Sequence, residues 1–412
     1  MEDALNAELD RRLAEADAAL NSLYPGDRGV RQPVHTVYVP ADRYDAGTVD
    51  EWAKAARTAL ADHGGSTDEL AELLQLPQRH AAQVYERVVA KLEREPIEDL
   101  RIDFEDGYGN RPDDQEDAAA VGAAQALAEQ VKTDTVPPYH GLRIKSLEAP
   151  SRRRGIRTLN LFVGELAGAG ALTDGFVITL AKVTSVEQIE AMVVVLEAIE
   201  RAHSVPTGSL KFEIQVETPQ AILAANGTTP LPRMIRAGAG RVTGLHYGTY
   251  DYSASLGVAA AYQSMEHPVA DHAKDVMQLA AAGTGVFVCD GSTNVLPIGS
   301  RDQVHAAWRL HSRLVRRSLE RGIYQGWDMH PAQLPTRYLA TYSFYREGLE
   351  TAATRLRAYL EGGNSGYLDE PATATALAGF VLRGVECGAI DPSEIDLLIA
   401  VDLQELSVLA RR

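Results

Sequence analysis

The sequence of 412 residues predicts an α/β protein built as a closed (β/α)₈ barrel, also called a TIM barrel. Two observations support this prediction. Eight short apolar runs, most of them bounded by Gly, Pro or Asp, alternate with helix-like stretches, and charged residues follow directly after most of the runs. Short continuous apolar runs are typical of strands buried on both faces, as in a parallel sheet. A doubly wound open sheet is the alternative that this alternation also allows.

The strand candidates occur in a regular order along the chain, and the last of them is the weakest because it is polar and interrupted. They are His35–Pro40, Leu100–Phe104, Gly141–Ile144, Gly175–Leu180, Lys211–Val216, Arg241–Tyr247, Gly285–Cys289 and Gly322–Met329. The helix-like stretches between them include Asp114–Val131, Ser185–His203, Val269–Ala282 and Arg301–Arg321.

Helical segments flank the predicted barrel, which spans residues 33–335. Residues 1–32 form an N-terminal helical segment with leucines at 5, 9, 13 and 20, ended by Pro25 and Gly26. Residues 336–412 are mostly helical and broken at Glu361–Gly366. We expect this C-terminal helical extension to pack on the barrel or on a neighbouring subunit.

Composition narrows the class of protein. The 57 acidic and 40 basic residues give a net charge of −17, which argues against binding to nucleic acid or to anionic membranes. The two cysteines form no CxxC pair or Cys/His cluster, so neither a disulfide framework nor a zinc site is indicated. No signal-peptide pattern and no run of about 18 apolar residues occurs. We therefore expect a cytoplasmic protein without nucleic-acid or membrane partners.

Polar residues at the carboxyl ends of the strand candidates are the best guide to chemistry, because these ends build the active site of a (β/α)₈ barrel. In strand order they are Asp103, Glu105 and Asp106, then Arg143 and Lys145, then Lys182, Glu217, Asp251, Asp290 and finally His330. A barrel mouth lined in this way would bind a small anion together with a cation. Asp290 and His330 are the candidates for further contacts with that anion.

Two of these carboxylates, Glu217 and Asp251, lie one βα unit apart and should meet at the same rim. Two converging carboxylates suit Mg²⁺, or alternatively Mn²⁺, when a substrate supplies the remaining oxygen ligands. A carboxylate after a strand can instead cap the next helix. For Glu217 the sequence favours the metal, because Thr218 can cap with Pro219 at the first helical position.

The basic residues of the mouth have competing interpretations. The planar fork of Arg143 matches a substrate carboxylate, yet it can also pair with the acidic Asp103–Asp106 segment, and both can hold at once. Lys182 ends an apolar run, so a structural salt bridge is the main competitor of a catalytic role. His246 and Cys289 lie in apolar runs and are interpreted as core residues.

With these residues in view, the chain resembles the HpcH/HpaI aldolase and citrate lyase β-subunit-like superfamily, which includes malate synthase-like enzymes. The resemblance covers roughly residues 33–335 and rests on six segments in the family's order. They are Pro33–Pro40, Asp103–Asp106, Gly141–Ile144, Ala181–Glu187 with Ala in place of the usual Pro, the pair of Glu217–Thr218 and Gly248–Tyr252, and Met329–Gln333.

The resemblance implies a Mg²⁺-dependent barrel of the phosphoenolpyruvate/pyruvate type that makes or breaks a C–C bond beside a 2-oxo acid. Glu217 and Asp251 would hold the metal, and Arg143 would bind the substrate and stabilise the enolate oxygen. Glu105 and Asp106 would orient Arg143 or metal-bound water. Lys182 is not expected to form a Schiff base in such a site.

Three functions follow from this resemblance. The first is a carbon–carbon lyase or aldolase acting on a 2-oxo or hydroxy acid, free or as a CoA thioester. The second is a malate synthase-like transferase that condenses acyl-CoA with glyoxylate, in which the C-terminal extension could close the site or supply an acid or base. The third is a non-catalytic barrel subunit. The resemblance also implies a homo-oligomer with a small carboxylate substrate.

Overall fold

The computed structural model describes residues 1–363, 366–367, 369–399 and 401–411. Eight parallel strands stand in the order β7-β6-β5-β4-β3-β2-β1-β8, and a bridge between Cys289 and Gln325 links the two edges of this sheet. The predicted (β/α)₈ barrel is therefore confirmed, and the open-sheet alternative is not what the chain forms.

Each strand candidate contains or overlaps one observed strand. The strands are β1 His35–Pro40, β2 Asp99–Asp103, β3 Tyr139–Ile144, β4 Phe176–Leu180, β5 Lys211–Val216, β6 Val242–Tyr247, β7 Phe287–Cys289 and β8 Gly326–Asp328. The eighth is much shorter than its candidate, because Gly322 adopts a left-handed turn with φ of 77° before the chain enters the sheet.

Sixteen α-helices among the described residues surround and flank the strands. They are α1 Glu2–Leu23, α2 Thr48–His63, α3 Thr67–Leu74, α4 Ala81–Arg94, α5 Asp113–Lys132, α6 Arg152–Gly168, α7 Val186–Ala202, α8 Pro219–Ile222, α9 Leu231–Ala237, α10 Thr249–Ser255, α11 Pro268–Ala281, α12 Arg301–Glu320, α13 Leu334–Glu361, α14 Pro371–Glu386, α15 Pro392–Ile399 and α16 Leu403–Leu409. Three short 3₁₀ segments, Gln78–His80, Ala260–Tyr262 and Pro331–Gln333, complete the set.

Alternation along the strands separates a polar interior from an apolar outer layer. In β2 the side chains of Leu100 and Ile102 belong to the main hydrophobic core, whereas Arg101 bonds to Glu213 on β5 and pairs with Asp99. Successive residues of a strand point to opposite faces, so the odd-numbered residues of β2 face the inside of the barrel. This alternation carries charged side chains to the barrel mouth.

The C-terminal extension packs on the outside of the barrel. Helix α13 lies against α4, α12 and α14. The Tyr338 hydroxyl donates to the Pro96 carbonyl, 3.1 Å away in the segment that enters β2, and the Tyr342 hydroxyl donates to the Cys387 carbonyl at 2.7 Å. The first contact ties the extension to the N-terminal end of β2, opposite the mouth, and the second joins α13 to the end of α14 within the extension. Of the predicted break, Gly362 ends α13 in a left-handed conformation, while Asn364 and Ser365 lie outside the described residues.

The N-terminal helix α1 has a different character, because none of its residues is buried. Leu5, Leu9, Leu13 and Leu20 are all more than two-fifths exposed. The segment after it returns to the barrel, where Gly26 donates a backbone hydrogen bond to Gly283. None of the helices in the described ranges has both the length and the apolar character to cross a membrane.

Candidate functional site

Arg143 lies at the barrel mouth, where the register pairs it with Asp103 on the neighbouring strand. Its Nε and Nη2 donate to the two oxygens of Asp103, each over 2.7 Å. Its Nη1 donates to Gln215 Oε1 over 3.3 Å. The aromatic rings of Tyr38 and Trp327 flank the guanidinium at 4.8 and 5.8 Å from ring centre to Cζ. The guanidinium is therefore fixed, and Nη1 is the group it can offer to a ligand.

Asp103 organises the loop that follows β2. Besides Arg143, its oxygens accept from the backbone N–H groups of Glu105 and Gly107 over 2.9 and 2.8 Å. A Cβ at Gly107 would approach Asp103 Oδ2 to 2.5 Å, so a glycine is needed there. Asp103 thus holds both Arg143 and the acidic loop in place. The sequence predicted a pairing of Arg143 with the Asp103–Asp106 segment, without indicating which of its residues is the partner.

Lys182 stands at the centre of the acidic residues. Its Nζ donates to Glu105, to both oxygens of Asp106 over 2.9 Å, and lies 3.5 Å from Asp251 Oδ2. Its backbone N–H donates to Glu217 Oε1 over 2.7 Å. The residue has a φ of 53°, a left-handed conformation that is uncommon outside glycine. The structure therefore brings four of the predicted site residues together around one lysine.

Glu217 is the most buried carboxylate of this group, with 2% of its surface exposed. Burial raises the pKa of Glu217 to about 8, and the nearby Asp251 and Glu105 carboxylates add to that rise against the opposing effect of Arg143. A Cβ at Gly248 would lie 2.8 Å from Glu217 Oε2, so the glycine before α10 leaves the space that the carboxylate fills. Glu217 does not cap α8, which begins with Thr218 as its N-cap and Pro219 as its first residue.

Asp251 approaches from the other side of Lys182. It lies in the first turn of α10, which begins at Thr249, and its side chain is 44% exposed. The pKa values of the other two acidic side chains, Glu105 and Asp106, are shifted in opposite directions. Burial raises the pKa of Glu105 against the opposing charge of Arg143. The pKa of Asp106 is lowered by its hydrogen bonds with Lys182 and Glu105, which outweigh the effect of burial.

The chemistry of the donors fits a hard cation. Oxygens of Glu105, Glu217 and Asp251 converge on one lysine, and carboxylate oxygens are the ligands that Mg²⁺ takes in proteins. Within the described ranges, however, no three or more His, Cys, Asp or Glu side chains are arranged as a preformed metal site. The cluster can therefore supply two carboxylates, and a bound cation would need oxygens from a substrate and water as well.

Two charged residues of the predicted mouth have partners away from this cluster. Asp290 is buried on the outer side of β7, where it accepts from Lys274 Nζ over 3.0 Å and from Ser318 Oγ over 2.6 Å. It therefore packs against α11 and α12 and not against the other candidates. Lys145 donates to Glu116 Oε2 and to the Phe104 carbonyl, each over 2.7 Å, and so anchors the loop after β2.

His330 has a local structural role. Its Nδ1 accepts from the backbone N–H of Ala332 over 3.1 Å, so the ring caps the 3₁₀ segment at Pro331–Gln333. Half-burial lowers the pKa of His330, which favours the neutral form that can accept this hydrogen bond. Asp290 and His330 thus have partners of their own. Neither residue lies in the cluster around Arg143 and Lys182.

The core assignments of the sequence analysis are confirmed for two residues. His246 is buried, with its Nε2 2.9 Å from Glu213 Oε2 and its Nδ1 accepting from Trp327 Nε1 over 3.3 Å. Cys289 is also buried, and burial raises the pKa of its thiol well above the ordinary value. A thiol of that kind is a poor nucleophile at neutral pH.

Gln215, Tyr38 and Trp327 belong to the site but were not singled out from the sequence. Each lies on a strand and faces Arg143, and Gln215 also donates to Glu217 Oε2. The signal was available for Gln215, because it lies two residues before Glu217 on β5 and so faces the same side. For the two aromatic residues nothing in the sequence distinguished the inner face from the outer one.

Solved structures of two kinds match this chain. A Haloferax volcanii malate synthase in a magnesium/glyoxylate complex matches with a TM-score of 0.52 at 14% identity, covering 93% of this chain and 99% of that chain. The same enzyme in a pyruvate/acetyl-CoA ternary complex matches with a TM-score of 0.51 at 15% identity, over 88% of this chain and 82% of that one. Both confirm the fold that the sequence resemblance implies.

The second kind is a HpcH/HpaI aldolase/citrate lyase family protein from Burkholderia cenocepacia, with a TM-score of 0.42 at 14% identity over 79% of this chain and 98% of that chain. No curated protein matches the sequence. A family model described as a domain of unknown function matches residues 13–412, nearly the entire length. The chain therefore belongs to the DUF6986 family.

Proposed function

We propose that this protein is a Mg²⁺-dependent carbon–carbon lyase or aldolase that acts on a 2-oxo or hydroxy acid at the barrel mouth. The observation that carries the proposal is the convergence of Glu105, Glu217 and Asp251 on one lysine beside Arg143. A site of this kind can hold a cation and a carboxylate substrate side by side. Support also comes from its position, since (β/α)₈ enzymes carry their active sites at this end of the barrel.

Arg143 would orient the substrate. Its Nε and Nη2 are committed to Asp103, so Nη1 is the donor that can reach a substrate oxygen, and the flanking rings of Tyr38 and Trp327 limit water around it. A donor held rigidly in this way stabilises negative charge on an oxygen without reorganising during the reaction. This role differs from the bidentate contact with a substrate carboxylate that we expected from the sequence.

Glu217 and Asp251 would hold the cation. When bound, Mg²⁺ would polarise the carbonyl of a 2-oxo acid and stabilise charge on its oxygen. Besides Asp103, which is bonded to Arg143, the Glu105 carboxylate lies close to the guanidinium, with its Oε2 3.5 Å from Arg143 Nη1. Glu105 can take a proton from a hydroxy acid or return one to the enolate carbon.

The malate synthase-like alternative, condensation of acyl-CoA with glyoxylate, is favoured by one observation. The H. volcanii malate synthase in its magnesium/glyoxylate complex resembles this chain over 99% of its own length, the C-terminal part included. Against it, the extension of this chain is tied to α4 and to the segment before β2, at the end of the barrel opposite the mouth. Among the described residues, the side chains that contact Arg143 and Lys182 all belong to the barrel, and for this reason we place the lyase first.

The third alternative, a non-catalytic subunit, is favoured by Lys182. Its ammonium neutralises part of the acidic cluster, so the carboxylates do not require a metal in order to stay together. Glu217 favours catalysis, because a buried carboxyl group with its pKa raised to about 8 is typical of a functional site. Assembly into a homo-oligomer and a cytoplasmic location remain predictions.

The test is a panel of 2-oxo and hydroxy acids, each offered with and without acetyl-CoA and with and without Mg²⁺. Mg²⁺-dependent cleavage without CoA would support the lyase, and release of CoA with glyoxylate would support the synthase. The Glu217→Gln variant, purified identically, is the control for contaminating enzymes. Turnover equal in the variant and the wild type, or absent from every arm, would contradict the proposal.

A further inference from the structure

Lys182 differs from Lys145 and Lys274, two buried lysines of the barrel, in the identity of its partners. Lys145 and Lys274 each donate to a backbone carbonyl, of Phe104 and Met265, as well as to a carboxylate, and both are almost inaccessible. Such contacts hold loops together. The Nζ of Lys182 makes its contacts with carboxylates from two separate segments, and its side chain remains 25% exposed.

Its contacts overlap the proposed cation site. The ammonium pairs with Glu105 and Asp106 after β2, and lies 3.5 Å from Asp251 in α10. Carboxylates that would neutralise a divalent cation are thus in reach of the Lys182 ammonium, and Glu217 is bound through the backbone N–H of the same residue. Two cations cannot share these oxygens, because like charges repel strongly at a separation of about 4 Å in a partly buried site.

Of the two cationic side chains at the centre of the mouth, Lys182 is the one that can move. Arg143 is held by two hydrogen bonds to Asp103 and by one to Gln215, and it is 6% exposed. Lys182 reaches the cluster over a flexible four-carbon stem that borders solvent. Rotation of that stem would move the ammonium away without repacking the core.

We propose that Lys182 is a displaceable internal cation, whose ammonium neutralises the cluster of Glu105, Asp106 and Asp251 until a divalent metal ion takes its place. The released ammonium then faces the solvent side of the mouth, where an anionic substrate enters. This inference rests on the proposed function, since it assigns a metal to the cluster. It adds an exchange between two cations, so that metal binding and substrate attraction are coupled through one side chain.

The first experiment uses the wild-type protein. A short pulse of an amine-acylating reagent, followed by mass spectrometry of peptides, measures the reactivity of each lysine with and without Mg²⁺. We expect acylation of Lys182 to increase at least about threefold with Mg²⁺, since the carboxylates that hold the ammonium also shield it from the reagent until the metal ion releases it. Lys145 and Lys274 are internal references and should not change. Equal or lower reactivity of Lys182 at saturating Mg²⁺ would overturn the inference.

The second experiment measures Mg²⁺ binding by isothermal titration calorimetry. Lys182→Met removes the competing cation, so the variant should bind Mg²⁺ at least about tenfold more tightly than the wild type. Lys211→Met is the matched control, because it removes the same charge from the N-terminal end of β5, far from the mouth. That variant should bind Mg²⁺ like the wild type.

The outcomes separate the two proposals. Failure of both the wild type and Lys182→Met to bind Mg²⁺ would overturn the metal site and this inference together. Binding to the wild type with equal or weaker binding to Lys182→Met would overturn the exchange and leave the proposed function standing. If Lys182→Met does not fold, the acylation of the wild-type protein decides alone.

Discussion

At the scale of single residues, Glu217 is a carboxyl group whose ionisation opposes folding. Its pKa is about 8 in the folded chain and about 4.5 when exposed, so the folded state binds the proton more tightly. The resulting stabilisation is present below about pH 4.5 and is lost as the pH rises through 8. Around neutral pH and above, the chain therefore bears a cost for holding this group in place.

The Glu217→Gln variant tests this cost. Because glutamine cannot ionise, we expect the variant to gain stability relative to the wild type as the pH rises from about 5 to 9, by roughly 1–4 kcal/mol. Urea unfolding at several pH values measures the difference. Its Mg²⁺-dependent activity should be lost. A variant that is less stable than the wild type by the same amount at every pH would show that Glu217 has a structural role without a titrating one.

Also at the scale of single residues, substitution of Arg143 tests whether the orientation of its guanidinium is needed for substrate binding. In Arg143→Lys the charge remains, but the fork on Asp103 is lost, and with it the orientation of the donor that faces the ligand. We expect substrate binding to weaken at least about tenfold, with a stability loss of about 1–3 kcal/mol because Asp103 loses a buried hydrogen bond.

The control is Arg157→Lys, which breaks a similar pair with Asp117 at an exposed surface position. Its effect on stability should be below about 1 kcal/mol and its substrate binding unchanged, since surface ion pairs contribute little. Calorimetric titration with the substrate found in the panel measures binding, and thermal unfolding measures stability. Unchanged substrate binding by Arg143→Lys would remove Arg143 from the site.

At the scale of elements, the strands could be predicted because apolar runs of this length between Gly, Pro and Asp are too short for most helices and too apolar for surface loops. The side of the strand on which an end residue lies is harder to predict. Arg143, Gln215 and Glu217 share the inner face of the barrel, whereas Asp290, directly after β7, turns outward to Lys274. Strand β7 has three residues, too few for the alternation to be read.

The partner of Asp290 was equally hidden, because Lys274 lies sixteen residues earlier, inside a helix. Ion pairs between a strand end and the following or preceding helix depend on how that helix packs, and the sequence alone does not give that packing. The same holds for Lys182, whose central position depends on the segments after β2, β4 and β6, which meet only in the folded chain. Residue types at the mouth could therefore be predicted, but their pairing could not.

Asp290→Asn tests whether Asp290 has a structural role in place of the predicted contact with the substrate. The change leaves the buried Lys274 ammonium with only the more distant Asp271 carboxylate, 3.8 Å away, which we expect to cost about 3–5 kcal/mol of stability. Substrate and Mg²⁺ binding should stay within about twofold of the wild type, because Asp290 faces α11 and α12. Chemical unfolding and calorimetric titration give the two quantities. A selective loss of substrate binding with unchanged stability would return Asp290 to the site.

At the scale of the whole molecule, the two flanking regions differ in their relation to the barrel. The residues of α1 are exposed throughout, so its removal uncovers no core. Helix α13, by contrast, buries Tyr338, Tyr342 and Tyr345, each at most 2% exposed, against neighbouring elements. The hydrophobic core runs without a break from the barrel into α13 and α14. The extension is thus part of the folded unit, whereas α1 is attached to it.

Two truncations test whether the barrel needs each of the two flanking regions in order to fold. Deletion of residues 1–23 should leave the midpoint of thermal unfolding within about 2 °C of the full chain, because no buried apolar area is lost. Deletion of residues 336–412 should uncover the apolar faces of α4 and α12 and give a chain that aggregates or unfolds with low cooperativity. Thermal unfolding followed by circular dichroism, with light scattering to detect aggregates, measures both. If a chain that ends at residue 335 unfolds cooperatively near the midpoint of the full chain, the barrel folds without its extension. The burial of the three tyrosines would then contribute little to stability.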